Sequence, residues 1–416
     1  MIRRDSRPNR LAVRPLISSS DSGARDPDPL IRVLPFILAA IPLFAVYLAG
    51  AFATATLAVA GLGGLWIAWR ERNVPILAAL ACAAGLAGLL AIQGSDKEVE
   101  AILFAAASIG AVVCRRLPRW VSRRDLDRAA TVFMASATAL PVLLVAQAQF
   151  LYADSIPPFC ITPDALAKPT FIAMALVAPA MALLWQRRHW GAALAFLVFM
   201  AILAFGSSSS TATLAYTLTL LTLVLAWVRP GLGVAVIVAV LCAPLVISLA
   251  IQVSNLTDWT VIDLRSSWLI RLELWQRALV LFEQAPLFGH GLDSFADLAP
   301  LIDLGPLDLG TGRYHPHAAV MQVLAEGGLV ALVALALLLR LLTDRPAFSA
   351  RWPVAVRLAA LAAAVTPPAI GINIWSDFTV ALVVYPWLIC ALFVAATEPD
   401  TRRQGSERRK PCTREA

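Results

Sequence analysis

The sequence predicts an all-α polytopic membrane protein with about 12 transmembrane helices and one large extracytoplasmic loop containing amphipathic helices. Three observations lead there. Of the 416 residues, 59% are hydrophobic and only 15% charged, too few polar residues to face every helix of a soluble bundle. Apolar runs recur at close to the roughly 20 residues that span a bilayer, and "LGVAVIVAVLCAPLVISLAI" at 232–251 carries no charge on any face. Basic residues are sorted to one set of connections. The net charge of +7 is therefore a topology signal rather than a nucleic-acid footprint, and no nucleic-acid partner is expected.

Residues 1–32 are polar and basic and lack a cleavable apolar core, so they read as a disordered cytoplasmic tail before a retained first span. Apolar runs at 33–50, 51–69, 74–93, 101–114, 131–151, 170–185, 192–206, 211–228 and 232–251 supply spans one to nine, over 33–251. Runs at 317–340, 354–375 and 380–397 supply spans ten to twelve, over 317–397, and 398–416 is a basic cytoplasmic tail. The connections "RERN", "RRLPRWVSRRDLDR", "QRRHW", "RPG" and "LTDRPAFSARWP" collect arginine on one side, whereas "GSDKEVE", "YADSIPPFCITPDALAKP", "SSSS" and "SD" fall on the other. By the positive-inside rule both termini are cytoplasmic. The six cysteines, at 82, 114, 160, 242, 390 and 412, show no pairing framework, and no structural disulfide is expected.

One connection stands apart, the loop at 252–316, where the chemistry is expected. Within it "RSSWLIRLELWQRALVLFEQ" spaces Trp268, Leu272, Trp275, Leu279 and Phe282 as one helical stripe, predicting an amphipathic helix on the membrane face. "APLFGHGLDSF" ends it, because Pro286 cannot continue a helix and Gly289 and Gly291 permit a tight turn.

The loop closes with "GRYHPHAAVMQVLAEGG" at 312–328, which holds two of the four histidines. Pro316 suits a first helical position, which places His317 in the first turn of the tenth span. There the helix dipole disfavours imidazolium, leaving a neutral imidazole suited to general base catalysis beside N–H groups suited to phosphate. Interfacial packing is the alternative for both histidines. Arg265, Arg271 and Arg313 share the loop, with Arg277 facing away, and Arg271 lies one turn from Trp275. An arginine fork beside an aromatic would clamp a diphosphate and stack a sugar; the same arginines could instead snorkel to headgroups. Gln322 and Glu326, one turn apart inside the tenth span, are candidates because polar groups at membrane depth carry a cost. "SSSSTA" at 207–212 reads as a polar turn, Asn255 opens a chance glycosylation triplet, and the acidic pair Asp125 and Asp127 lies in an arginine-rich connection. No metal-ligand cluster, Walker loop or Rossmann fingerprint is present, and no cofactor is expected.

In this order, "RLELW", "APLFGHGLDSF" and "HPHAAVMQVLAEGG" resemble the large periplasmic loop of the O-antigen ligase and polymerase superfamily, over roughly 255–330, and the span layout is similar across most of the chain. The resemblance implies a metal-independent glycosyltransferase of the bacterial inner membrane, in O-antigen or exopolysaccharide biosynthesis. Its donor would be an undecaprenyl-diphosphate-linked glycan and its acceptor a glycan or a lipid A-core. Flippase and chain-length or export proteins would be further partners. By position His317 would be the catalytic base, Arg271 the diphosphate ligand and His315 the reserve base. The family commonly has asparagine where this chain has Ala318, and the ligases carry an arginine at the eighth span where this chain has Thr211. That second departure is similar to the polymerase branch, with Arg265 or Arg313 as possible substitutes for the arginine. A twelve-span secondary transporter and a non-catalytic polysaccharide-export component remain the alternative classes.

Overall fold

The computed structural model describes residues 29–45, 49–73, 109–110, 113–114, 116–151, 166–254, 266–301, 315–343, 351–374 and 376–394. Regular structure among them is helical. In chain order the long helices are α1 (Pro29–Ala45), α2 (Ala49–Arg70), α3 (Arg123–Leu151), α4 (Ala167–Gln186), α5 (Trp190–Phe205) and α6 (Ser210–Val228). They continue as α7 (Pro230–Ser254), α8 (Ser266–Gln284), α9 (Ala319–Thr343), α10 (Arg351–Ile370) and α11 (Asp377–Ile389), which runs on as a π-turn, Cys390–Val394.

Seven helices are long and apolar enough to cross a bilayer, and three shorter apolar helices accompany them, among the described residues. This is the architecture of a polytopic membrane protein. Ten of the twelve predicted runs coincide with these helices; run 74–93 lies outside the described residues, and run 101–114 is described only at 109–110 and 113–114. Some boundaries move. The first helix starts at Pro29, inside the predicted tail, and α3 starts at Arg123, eight residues ahead of its apolar run. The reason for the second shift is a serine cap: the Asp125 N–H donates to Ser122 Oγ at 3.1 Å, and Ser122 Oγ donates to the Asp125 carboxylate at 2.8 Å. "SRRD" carried that signal, and it gives Asp125 a structural task at the start of the helix.

α10 and α4 form the centre. Every residue of α10 from Pro353 to Ile370 is buried, as is nearly all of α4, in accord with helices apolar on all sides. The run "LAALAAAV" in α10 offers mainly methyl-sized side chains, so α6, α4 and α7 approach it closely. α1, α2, α3 and α11 form the other flank, where Tyr385 donates to the Leu38 carbonyl at 2.6 Å.

The two ends of the bundle differ. At one end lie the α4–α5 and α6–α7 turns, the start of α3 and the start of α10, with Trp66, Trp69, Trp120, Trp185, Trp190, Trp227 and Trp352 beside the arginine-rich turns. At the other end the turn before α6, the α8 loop, the start of α9 and the α10–α11 turn come together. The candidate site lies there.

Candidate functional site

α8 was predicted to lie on the membrane face. It packs instead between α7 and α9, with Leu272, Leu274, Trp275, Ala278, Leu279 and Leu281 buried. Arg277, predicted to face away, is buried too. It pairs with Glu273 one turn back and donates to the Ala299 carbonyl at 2.8 Å, which pins the far part of the loop onto the helix. The Ala299 carbonyl gives the buried guanidinium a second partner, which offsets part of the cost of burying the pair.

Trp275 was expected to offer a sugar-stacking face. Its ring is 1% exposed, and its indole N–H donates to the Pro316 carbonyl at 2.8 Å. It therefore holds the His315-Pro316-His317 turn from beneath. The aromatic next to Arg271 is Trp268, three residues earlier, with the guanidinium carbon 5.0 Å from its ring centre. Arg265 and Arg313 lie outside the described residues.

His317 was placed in the first turn of the tenth span, but α9 begins at Ala319, and His317 has left-handed backbone with φ 51°. A non-glycine residue there is held against a cost of about 1–2 kcal/mol, a kind of strain that concentrates at functional sites. Two ties hold it. Its backbone N–H donates to His315 Nδ1 at 3.3 Å, and its ring Nδ1 lies 2.9 Å from the Gly371 carbonyl oxygen. A carbonyl only accepts, so Nδ1 carries the proton and Nε2 keeps its lone pair. His315 has the opposite tautomer, since its Nδ1 accepts. The two rings lie against each other, tilted by 47° with centroids 4.0 Å apart.

Both histidines are held below the ordinary histidine range. Burial lowers His315 to about 4, with the neighbouring His317 adding to the effect. Burial also lowers His317, the Gly371 carbonyl partly opposes this by favouring the charged ring, and the charge of Arg271 depresses it further. Burial likewise lowers Arg271, which nonetheless stays charged at neutral pH. The expectation of a neutral His317 stands, although burial outranks the helix dipole as its cause. The same coupling places Arg271 within electrostatic reach of the imidazole.

Below the histidines, α9 opens with a polar junction. Glu326 is 1% exposed, and it takes hydrogen bonds from Gln322 Nε2 and from the Phe295 N–H, each at 3.3 Å. Gln322 also donates to Asn373 Oδ1 at 3.0 Å and accepts from the Ile374 N–H at 3.3 Å. Gln322 and Glu326 thus join α9, the loop turn and the α10–α11 turn. α9 then breaks at Gly328, at φ 62° and ψ −159°. A break leaves carbonyls and N–H groups without helical partners, and "PLFGHG" supplies them. The N–H groups of His290 and Gly291 donate to the carbonyls of Ala325 and Glu326, and the N–H groups of Leu329 and Val330 donate to Pro286 and Leu287. Contact is too close for side chains: a Cβ on Gly289 would lie 2.3 Å from the Glu326 carbonyl carbon, and one on Gly328 would lie 2.5 Å from the Leu287 oxygen. Gly289 and Gly291 turn as expected, at φ 66° and 101°.

Sequence reasoning missed Gly371, Asn373 and Trp268. The stretch "PPAIGIN" ends α10 at Ile370, short of the predicted 375, and turns the Gly371 carbonyl toward His317. Thr211 also belongs here: a Cβ on Gly371 would lie 3.2 Å from its hydroxyl. The preceding serines form the expected short turn between α5 and α6.

The molecule so far is a polytopic membrane protein with an oriented histidine and an arginine at one end of its bundle. Residues 195–336, which include Thr211, Arg271, His315, His317 and Glu326, match the family model described as O-antigen ligase. This match supports assigning the chain to the O-antigen ligase and polymerase superfamily. No curated protein matches the chain.

Proposed function

We propose that the protein is a membrane glycosyltransferase of the ligase or polymerase type, which moves a glycan from an undecaprenyl-diphosphate carrier to an acceptor hydroxyl at the periplasmic face. The observation that carries this reading is the clamp on His317, whose Nδ1–H is tied to the Gly371 carbonyl beside Arg271. His317 Nε2 takes the proton of the acceptor hydroxyl as its oxygen bonds to the anomeric carbon. The bond from that carbon to the phosphate oxygen breaks, and the lipid diphosphate leaves with the electron pair, neutralised by Arg271. The imidazolium that forms keeps its hydrogen bond to Gly371, and its burial favours prompt release of the proton. Direct displacement inverts the anomeric centre. Arg265 and Arg313 are the reserve diphosphate ligands, and Thr211 at the eighth-span position favours the polymerase branch.

A transporter commonly uses the unwound backbone of a broken helix to hold its cargo. In α9 the freed groups are taken by the protein's own 286–291 turn, which counts against that alternative.

The test is complementation of a deletion strain with wild type, His317→Ala or Arg271→Ala at matched membrane levels, followed by glycan analysis. Accumulation of lipid-linked units with both variants supports transfer, and the missing product separates ligase from polymerase. Normal glycan from both variants would sink the proposal and leave a non-catalytic export component as the better reading.

A further inference from the structure

At the opposite end of the bundle, between the start of α3 and the end of α4, lies an open cavity of about 740 Å³. Arg123, Arg124, Arg128 and Arg187 line it, against Asp127 as the one carboxylate. Arg187 is fixed in place, donating to Thr131 Oγ1 at 2.6 Å and to the Asp127 main-chain oxygen at 2.7 Å. Arg128 has only a loose pairing with Asp125 at 4.0 Å. Among the described residues, the side chains of Arg123 and Arg124 make no hydrogen bond or ion pair. Converging guanidiniums with so little internal neutralisation fit an anion with several oxygens, such as a phosphate.

The surroundings say what carries the phosphate. Trp185 and Trp190, at the α4–α5 turn, meet in a tilted contact with centroids 4.4 Å apart while 46% and 53% exposed. Exposed tryptophans at the ends of apolar helices sit at headgroup depth. Val132, one turn into α3 from Arg128, is an exposed apolar residue. We propose that this cavity binds the phosphate headgroup of an anionic phospholipid, with the acyl chains along the exposed apolar residues of α3 and α5 and beside the tryptophan pair. The proposal is independent of the glycosyl-transfer reading.

The experiment uses the full-length protein, delipidated in detergent, and measures binding of short-chain phosphatidylglycerol, phosphatidylcholine and inorganic phosphate by native mass spectrometry. Wild type should retain phosphatidylglycerol over phosphatidylcholine. The double variant Arg123→Gln and Arg124→Gln should weaken that binding by about fivefold for each guanidinium removed. Both side chains are exposed and have no partner among the described residues, so the double variant should melt as wild type does. Arg229→Gln, at an exposed arginine of the same end, should bind as wild type. Equal retention of phosphatidylcholine, displacement of the lipid by an equal concentration of inorganic phosphate, undiminished binding by the double variant, or an equal loss in Arg229→Gln would each overturn the proposal.

Discussion

From Ala319 to Glu326 every side chain of α9 is buried, whereas beyond the break at Gly328 the side chains of Leu329, Val330, Val333 and Leu337 are exposed. Hydropathy alone does not separate the two halves, because lipid and protein interior are similarly apolar. What separates them is the polar content of the first half and the two glycines at its end. The first half is a floor: it follows the strained histidine by two residues, carries Gln322 and Glu326, and is held by α8 and by the 286–295 turn. The second half is an ordinary lipid-facing segment. The site therefore belongs to the first half, and perturbations on the two sides of Gly328 should differ sharply.

The largest difference is expected in catalysis. His317→Ala should lower glycan transfer by about 10²–10⁴-fold, the range for a positioned general base. Leu337→Ala, at a residue 57% exposed, should leave transfer unchanged. Quantitation of product in membranes with matched protein levels decides it. Equal activity in both variants would erase the distinction between the halves.

Next comes the break itself. Gly328 adopts a backbone region that is essentially glycine's own, where another residue costs on the order of 1–3 kcal/mol, and a Cβ would also strike the Leu287 carbonyl. Gly328→Ala should lower the melting midpoint in detergent and loosen the 286–291 turn, seen as faster proteolysis there. Gly191→Ala, at a helical position with open space around it, is the matched control and should melt as wild type or slightly above. If Gly328→Ala melts with the control, α9 can straighten without loss and the loop does not depend on the break.

Most of the scaffold was legible in the sequence because bilayer thickness fixes helix length, and the glycines at 289 and 291 announced their turn. The position of His317 was misjudged because a proline suggests a helix start without fixing it. Here the N–H of Gln322 bonds to the Ala318 carbonyl, so regular bonding begins two residues after Pro316. Trp275 was misassigned for a different reason. Helical spacing shows that two residues share a face, and α8 has neighbours on more sides than an interfacial helix would. Gly371 left no local signal, since its role is defined by a partner 54 residues away.

Trp275 yields the third prediction. Trp275→Phe keeps an aromatic ring in the site, though a smaller one, and removes the donor to the buried Pro316 carbonyl. An orphaned acceptor of this kind costs about 1–3 kcal/mol. The variant should melt lower and transfer more slowly with KM nearly unchanged, because the loss is in the placement of the histidine turn. Trp268→Phe should do less to stability, since Trp268 is only partly buried. A rise in KM alone for Trp275→Phe would restore this side chain as a sugar contact.

The smallest expected effect is also the most diagnostic, the pH dependence of kcat/KM. A histidine acting as base must be unprotonated, so its titration forms the acidic limb of the profile. Because burial and Arg271 lower His317, that limb should lie below the ordinary value of 6.5, with rates flat through neutrality. Arg271→Gln removes one of the lowering causes and should move the limb upward, in addition to weakening donor binding. Arg271→Lys keeps the charge and should leave the limb near its wild-type position. Stability follows the same sign: the unfolded chain takes up protons near 6.5 while folded His315 resists until about 4, so the folded state loses stability as pH falls through that interval. A limb at or above 6.5 in wild type, or one indifferent to Arg271→Gln, would mean that the titrating group is not His317 in the place described. In that case the strained turn would have to be explained as packing.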